Sequence, residues 1–73
     1  MDNTTLISAE IGKEYFVKGI AVEDPDLEKF LLTLGCYKGQ IITVVSHRKN
    51  IFNVTIKDAR YAIDDNLASA ILI

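Results

Sequence analysis

The strongest pattern in the chain is a stripe of apolar side chains at helical spacing between residues 24 and 34. Apolar residues at i, i+3, i+4 and i+7 lie on one face of an α-helix. The positions that follow this spacing are Leu27, Phe30, Leu31 and Leu34. Asp24 suits the N-cap, Pro25 the first helical position and Gly35 a left-handed C-cap. We therefore predict a capped helix from Asp24 to Leu34 whose stripe faces the core.

The segment before the helix predicts strand. Residues 4–12 form a lead-in whose apolar pair at positions 6 and 7 starts a short strand. Residues 14–22 are rich in aromatic and β-branched side chains, which are typical of strands. Gly19 permits a bulge that turns Val17 and Ile20 to the same side. We predict one bulged strand over residues 14–22.

After residue 40 the apolar period changes to two, which indicates half-buried strands joined by tight turns. The predicted strands are Ile41–Ser46, Ile51–Lys57, Arg60–Ile63 and Ala70–Ile73, with hairpin turns at His47–Asn50 and Asp58–Ala59 and a half-turn at Asp64–Asn66. About five short strands and one helix predict a mainly β fold, a small, partly open barrel.

A single domain covering residues 1–73 fits the length and the composition. Of the residues, 49% are hydrophobic and 25% charged, a balance that excludes a disordered chain. The apolar positions that both periods turn inward form the expected core. They are Val17, Ile20, Leu27, Leu31, Leu34, Val44, Val54 and Ile56.

Charge narrows the class of partner. The net charge is −2 with eight basic and ten acidic side chains, whereas nucleic-acid binding usually needs a basic face. The densest basic stretch, residues 47–49, is a polar turn. We expect no nucleic-acid partner.

No leader and no apolar run of roughly 20 residues is present, so we expect no membrane insertion. The single Cys36 favours a reducing cytoplasm.

No group of residues in the sequence is complete enough to catalyse a reaction or to bind a metal ion or a phosphate. Cys36 and His47 lack a third group to orient a catalytic pair, so we expect a half-buried thiol and a solvated imidazole. Asp24, Asp26 and Glu28 resemble the start of a calcium loop, but the required glycine is absent. No glycine-rich phosphate loop occurs. We therefore expect no enzyme, with no catalytic residue, no cofactor and no metal ligands.

Core and turn residues follow one another in a fixed order between residues 6 and 73. They are Gly12, Val17-x-x-Ile20, Leu27, Leu31, Leu34-Gly35, Gly39, Ile42-x-Val44, Val54-x-Ile56, Ala62-Ile63 and Ala68-x-x-Ile71-x-Ile73. In this order they resemble the ferrous iron transport protein A family, FeoA. Two departures stand out. Cys36-Tyr37-Lys38 lacks the proline that the family usually has between the two glycines, and Asp58 replaces a common glycine.

The resemblance implies an SH3-like barrel of five to six strands with one helix. It also implies an accessory or regulatory protein, not an iron carrier, whose partner is the membrane transporter FeoB, contacted from the cytosol. The alternative is a stand-alone domain related to the C-terminal domain of iron-dependent repressors, although Met1 leaves no room for their preceding DNA-binding segment. The sequence leaves the oligomeric state of the chain undetermined, and a weak homo-oligomer is one of the states it allows.

One short region is predicted to contact the partner. Leu32 lies about 140° from Leu27 on a helical wheel, on the solvent side of the stripe. Tyr37 and Lys38 follow the helix in a short turn between two glycines, where a large side chain has little core to enter. Aromatic residues anchor many interfaces. We predict a contact patch of Leu32, Tyr37 and Lys38, with the turn at His47–Asn50 as the next candidate.

Overall fold

Six short strands and a ten-residue helix make up most of the computed structural model, which describes residues 4–21 and 23–73. In chain order the elements are a 3₁₀ turn at Leu6–Ser8, β1 at Glu14–Phe16, β2 at Gly19–Ile20, α1 at Pro25–Leu34, β3 at Ile41–Arg48, β4 at Ile51–Ile56, β5 at Ala59–Asp64, α2 at Asp65–Ala68 and β6 at Ile71–Leu72. The prediction of a mainly β domain is confirmed.

The strands form two antiparallel sheets. One has four strands in the order β1-β3-β4-β5, and the other pairs β2 with β6. The prediction of one bulged strand over residues 14–22 was wrong, because the chain changes sheets within it. The Val17 N–H donates to the Gln40 carbonyl at 2.8 Å, and the Lys18 N–H donates to the Leu72 carbonyl at 2.7 Å. Val22 lies outside the described residues.

The capped helix is confirmed. The Asp24 carboxylate accepts the Asp26 N–H at 3.0 Å, and Pro25 occupies the first helical position. Gly35 ends the helix at φ +99°, which the absence of a side chain permits. A Cβ atom at this glycine would lie 3.3 Å from the Ile56 Cγ2 atom, so the helix end packs closely against β4.

The buried face of α1 is rotated from the predicted stripe. Leu31 is fully buried, whereas Phe30, the one residue of the stripe that the expected core does not include, is 48% exposed. Leu32 is half-buried and was wrongly placed on the solvent side. Phe30 and Leu32 each lie about 100° from Leu31 around the helix. The burial is therefore centred on Leu31 itself, with Leu27 and Leu34 half-buried beside it.

Both hairpin turns are shorter or earlier than predicted. β3 continues to Arg48 through a register shift at Val45, which leaves only Lys49–Asn50 as the turn. The β4–β5 turn is Lys57–Asp58, where both residues have positive φ angles of 51° and 68°. Two consecutive left-handed residues define the type I′ turn, whose twist matches that of the flanking strands. Ala59 therefore begins β5.

His47 belongs to β3 and not to the predicted turn, although its side chain is exposed as expected. It pairs across the strands with Phe52, and the two rings stack with centroids 3.8 Å apart. The His47 Nε2 atom lies 2.9 Å from the Lys49 carbonyl oxygen. Since Phe52 is buried, the imidazole covers one end of the core.

Of the eight predicted core residues, five are fully buried and the other three are half-buried. The prediction missed the contribution of the chain ends. Leu6, Ile71 and Ile73 are all buried, and the predicted strand at positions 6 and 7 is a 3₁₀ turn. The Ile73 N–H donates to the Thr4 carbonyl at 2.8 Å, which ties the two ends together.

Candidate functional site

Two large apolar side chains stand exposed next to each other on the outer face of the four-stranded sheet. Phe16 on β1 is 64% exposed and Ile41 on β3 is 38% exposed, and the strand register places them opposite each other. Successive side chains of a strand point to opposite faces. Because Ile42 is buried in the core, its neighbour Ile41 must face outward.

A groove runs from Ile41 across the same face. It has a volume of about 450 Å³ and is lined by Glu14, Gln40, Ile41, Thr43, Thr55, Lys57 and Asp58. Thr43 stands opposite both Glu14 on β1 and Thr55 on β4. The groove therefore has one apolar wall and a polar floor of short side chains.

Tyr37 is joined to this region through Lys57, which lines the groove. Its ring is 48% exposed and lies under the Lys57 ammonium, whose Nζ atom is 4.9 Å from the ring centroid. The Gln40 N–H donates to the Tyr37 carbonyl at 2.9 Å, and the Gly39 N–H donates to the Val17 carbonyl at 2.7 Å. The turn that carries Tyr37 is thus bonded to the end of β1. We call Phe16, Tyr37, Ile41 and Lys57 the aromatic patch.

The predicted contact residues fall partly in this region. Tyr37 and Lys38 are exposed as expected, whereas Leu32 is half-buried. Their contact with a partner stays a prediction. Sequence reasoning missed Phe16 and Ile41. The signal was present at Ile41-Ile42, since two adjacent apolar residues in a period-two strand cannot both face the core.

Cys36 is unsuited to nucleophilic chemistry. Its side chain is 1% exposed, so it is fully buried and not half-buried as predicted. Burial raises the pKa of the thiol from 9.0 to about 11, because a thiolate would lose its hydration. The nucleophilic form of cysteine is the thiolate. The hydrogen-bond partner of His47 is the Lys49 carbonyl, so nothing in these contacts makes it a base for Cys36.

Within residues 4–21 and 23–73, no three side chains of the His, Cys, Asp or Glu types come together to hold a metal ion. We predict that the isolated chain has no stoichiometric site for ferrous iron of micromolar or tighter affinity, because ligands for such an ion must cluster. Anaerobic titration calorimetry tests this. A stoichiometric site of micromolar or tighter affinity on the isolated chain would contradict it.

Two small antiparallel sheets around one core, with an exposed aromatic patch on the outer face of the larger sheet, define a small, mainly β domain. The chain belongs to the FeoA domain family, whose model matches residues 4–73. This family is associated with ferrous iron transport, and its members are generally non-catalytic accessory proteins. No described helix has the length and apolar character needed to cross a membrane.

Solved structures confirm the SH3-like fold. A manganese-dependent transcriptional repressor is similar with a TM-score of 0.87 and 21% identity, over 96% of this chain and 40% of the repressor. The zinc-complexed FeoA of Stenotrophomonas maltophilia, a prokaryotic SH3 domain protein, has a TM-score of 0.85 and 18% identity, over 94% of this chain and 87% of that one.

A further FeoA structure, of an iron uptake regulatory protein, has a TM-score of 0.83 and 23% identity, over 94% of this chain and 92% of that one. Comparison with curated proteins finds no significant match. The chain thus spans most of the length of both FeoA proteins but less than half of the repressor.

Proposed function

We propose that this chain is a cytoplasmic accessory protein of ferrous iron uptake that binds an FeoB-type transporter from the cytosolic side. The observation that supports this proposal is the aromatic patch on a chain of the FeoA family. An accessory protein that catalyses no reaction acts by binding its partner. The patch offers the largest exposed apolar side chain among the described residues, Phe16.

The patch has the properties of an interface anchor. Aromatic side chains carry much of the binding energy in protein interfaces, chiefly where they become fully desolvated. The Tyr37 ring is already held by the Lys57 ammonium, so little of its freedom is lost on binding. The groove beside Ile41 can accept a side chain of the partner. Lys57 lines the groove together with the carboxylates of Glu14 and Asp58, so a charged side chain of either sign on the partner meets an opposite charge there.

A double variant, Phe16→Ser with Tyr37→Ser, tests the proposal. We expect circular dichroism to show an unchanged fold, because both side chains are about half exposed or more. We expect affinity for the purified transporter to fall at least about thirtyfold, as for the loss of an interface anchor worth about 2 kcal/mol. Iron-uptake complementation should fall with it.

The matched control removes two apolar side chains of similar exposure outside the patch, Ile7→Ser with Phe30→Ser. This variant should bind the transporter like the parent chain. A Leu32→Gln, Tyr37→Ser double variant tests whether the end of α1 contributes to binding of the transporter. Full binding by the Phe16→Ser, Tyr37→Ser variant would exclude the aromatic patch and leave the Lys49–Asn50 turn as the next surface.

The likeness to the manganese-dependent repressor supports a second candidate. In that case the chain is a stand-alone domain, related to the C-terminal domain of iron-dependent repressors, that regulates by protein contact. The same binding assay with a purified metal-dependent repressor in place of the transporter separates the two. Binding to the repressor alone would favour the second candidate.

A further inference from the structure

The outer edge of β5 is an unused pairing surface. β5 ends the order of the four-stranded sheet and has six residues, whereas β1 at the opposite edge has three. Its register with β4 runs without a bulge from Ala59 to Asp64. α2 follows directly and packs against β5 itself as well as against β4 and the 3₁₀ turn. No strand of the described residues pairs with the outer edge of β5, and a long, flat edge strand is a template for another strand.

The turn geometry shows which main-chain groups are free. The type I′ turn at Lys57–Asp58 closes on a bonded Ile56–Ala59 pair. Bonded and non-bonded pairs alternate along an antiparallel ladder. The main-chain N–H and C=O groups of Ala59, Tyr61 and Ile63 therefore bond to β4. Those of Arg60, Ala62 and Asp64 point away from β4. No turn, loop or cap hydrogen bond within the described residues uses the N–H or C=O of Arg60 or Ala62.

The side chains along this edge are complementary to themselves. Arg60, Ala62 and Asp64 share the outer face. Asp64 is half-buried and its Oδ1 atom accepts the Leu67 N–H at 2.9 Å, which leaves the second carboxylate oxygen for a cation. Arg60 has no ion pair within the part of the chain that the structure describes. An antiparallel copy of β5 centred on Ala62 places Arg60 of each chain opposite Asp64 of the other. Centring on Arg60 or on Asp64 instead places like charges together, which destabilises pairing.

We propose that two copies of this chain associate through β5, antiparallel and centred on Ala62. The Ala62 pair then exchanges two main-chain hydrogen bonds, and two Arg60–Asp64 pairs flank it. The contact is isologous, since each copy uses the same surface. It joins the two four-stranded sheets into one and leaves Phe16, at the opposite sheet edge, free on both copies. A contact of one short strand is small, so the dimer is weak.

Sedimentation equilibrium of the full chain from micromolar to millimolar concentration tests the proposal. The parent chain should show a reversible monomer–dimer equilibrium. Arg60→Glu turns both attractive pairs repulsive and should raise the dissociation constant at least about tenfold. Lys29→Glu, with the same charge change at an exposed helix position, should leave the constant unchanged.

Ala62→Pro provides a second variant. Proline is tolerated at an edge position whose N–H points away from the sheet, so the fold should persist while dimerisation is lost. In NMR spectra of the parent chain, amide shifts that change with concentration should cluster in residues 60–64. A parent chain that stays monomeric at millimolar concentration would overturn the proposal, and so would a dimer that both variants retain.

Discussion

Replacing Leu31 with alanine should lower the free energy of unfolding by about 2–5 kcal/mol. The side chain is fully buried at the centre of the α1 face, within the single core cluster. Truncation removes its burial and leaves a cavity that the short strands around it cannot fill. A domain of this size has a total stability of about 5–15 kcal/mol. Urea titration of both proteins measures the difference.

Phe30→Ala is the matched control for this prediction. It removes a larger side chain from the adjacent helix position, but Phe30 is 48% exposed. Exposed substitutions usually change stability by about 0.5 kcal/mol or less, so we expect a cost below about 1 kcal/mol. Equal losses in the two variants would show that burial on α1 is not centred on Leu31.

Cys36 should react far more slowly with thiol reagents in the folded chain than in the unfolded one. Burial raises the pKa of the thiol from 9.0 to about 11, which lowers the reactive thiolate fraction near neutral pH about a hundredfold. Its 1% exposure blocks the reagent further. The labelling rate at pH 8, with and without denaturant, measures the effect. Comparable rates would contradict the burial of Cys36.

The same shift makes stability depend on pH. Between pH 9.0 and about 11 the unfolded chain releases the Cys36 proton while the folded chain keeps it. Below pH 9.0 the Cys36 thiol therefore makes its full contribution to the free energy of unfolding. That free energy falls by about 2–3 kcal/mol as the pH rises to the pKa of the thiol in the folded chain. A Cys36→Ala variant lacks this contribution, so the difference between the two unfolding curves should change only above pH 9.0. A constant difference across that range would contradict the shift.

The helix was predictable because its signals are local. Asp24, Pro25 and Gly35 mark the two ends through groups within a few residues of each other. The rotation of its buried face was not predictable in the same way, since it depends on the strands beneath. The end of the helix packs at Gly35 against Ile56 of β4, a residue far along the chain from Leu31.

The strand errors have one physical cause, which is the choice of partner. Nothing within residues 14–22 shows that Phe16 pairs with β3 whereas Gly19 pairs with β6, because both partners lie far along the chain.

The bounds of the turn after β3 were hard to predict for another reason, since this hairpin contains no glycine. Its left-handed residue is Lys49, which sequence rules for turns do not favour.

The candidate site was half predictable. Tyr37 was found because it follows a helix cap between two glycines, a local feature of the sequence. Phe16 and Ile41 were missed because they become neighbours only through the pairing of β1 with β3. The link between the groove and Tyr37 is Lys57, which lines the groove and lies over the tyrosine ring.

The distance in sequence between paired strands also sets what each pairing costs in chain entropy. The β3–β4 and β4–β5 hairpins each close over two turn residues, whereas pairing Gly19 with Leu72 closes a loop of about fifty residues. Since closure entropy grows with the logarithm of loop length, the second event costs roughly 3 kcal/mol more. β2 and β6 are only two residues long each, too short to repay this cost alone. The two-stranded sheet is therefore a product of the assembled core and cannot nucleate it.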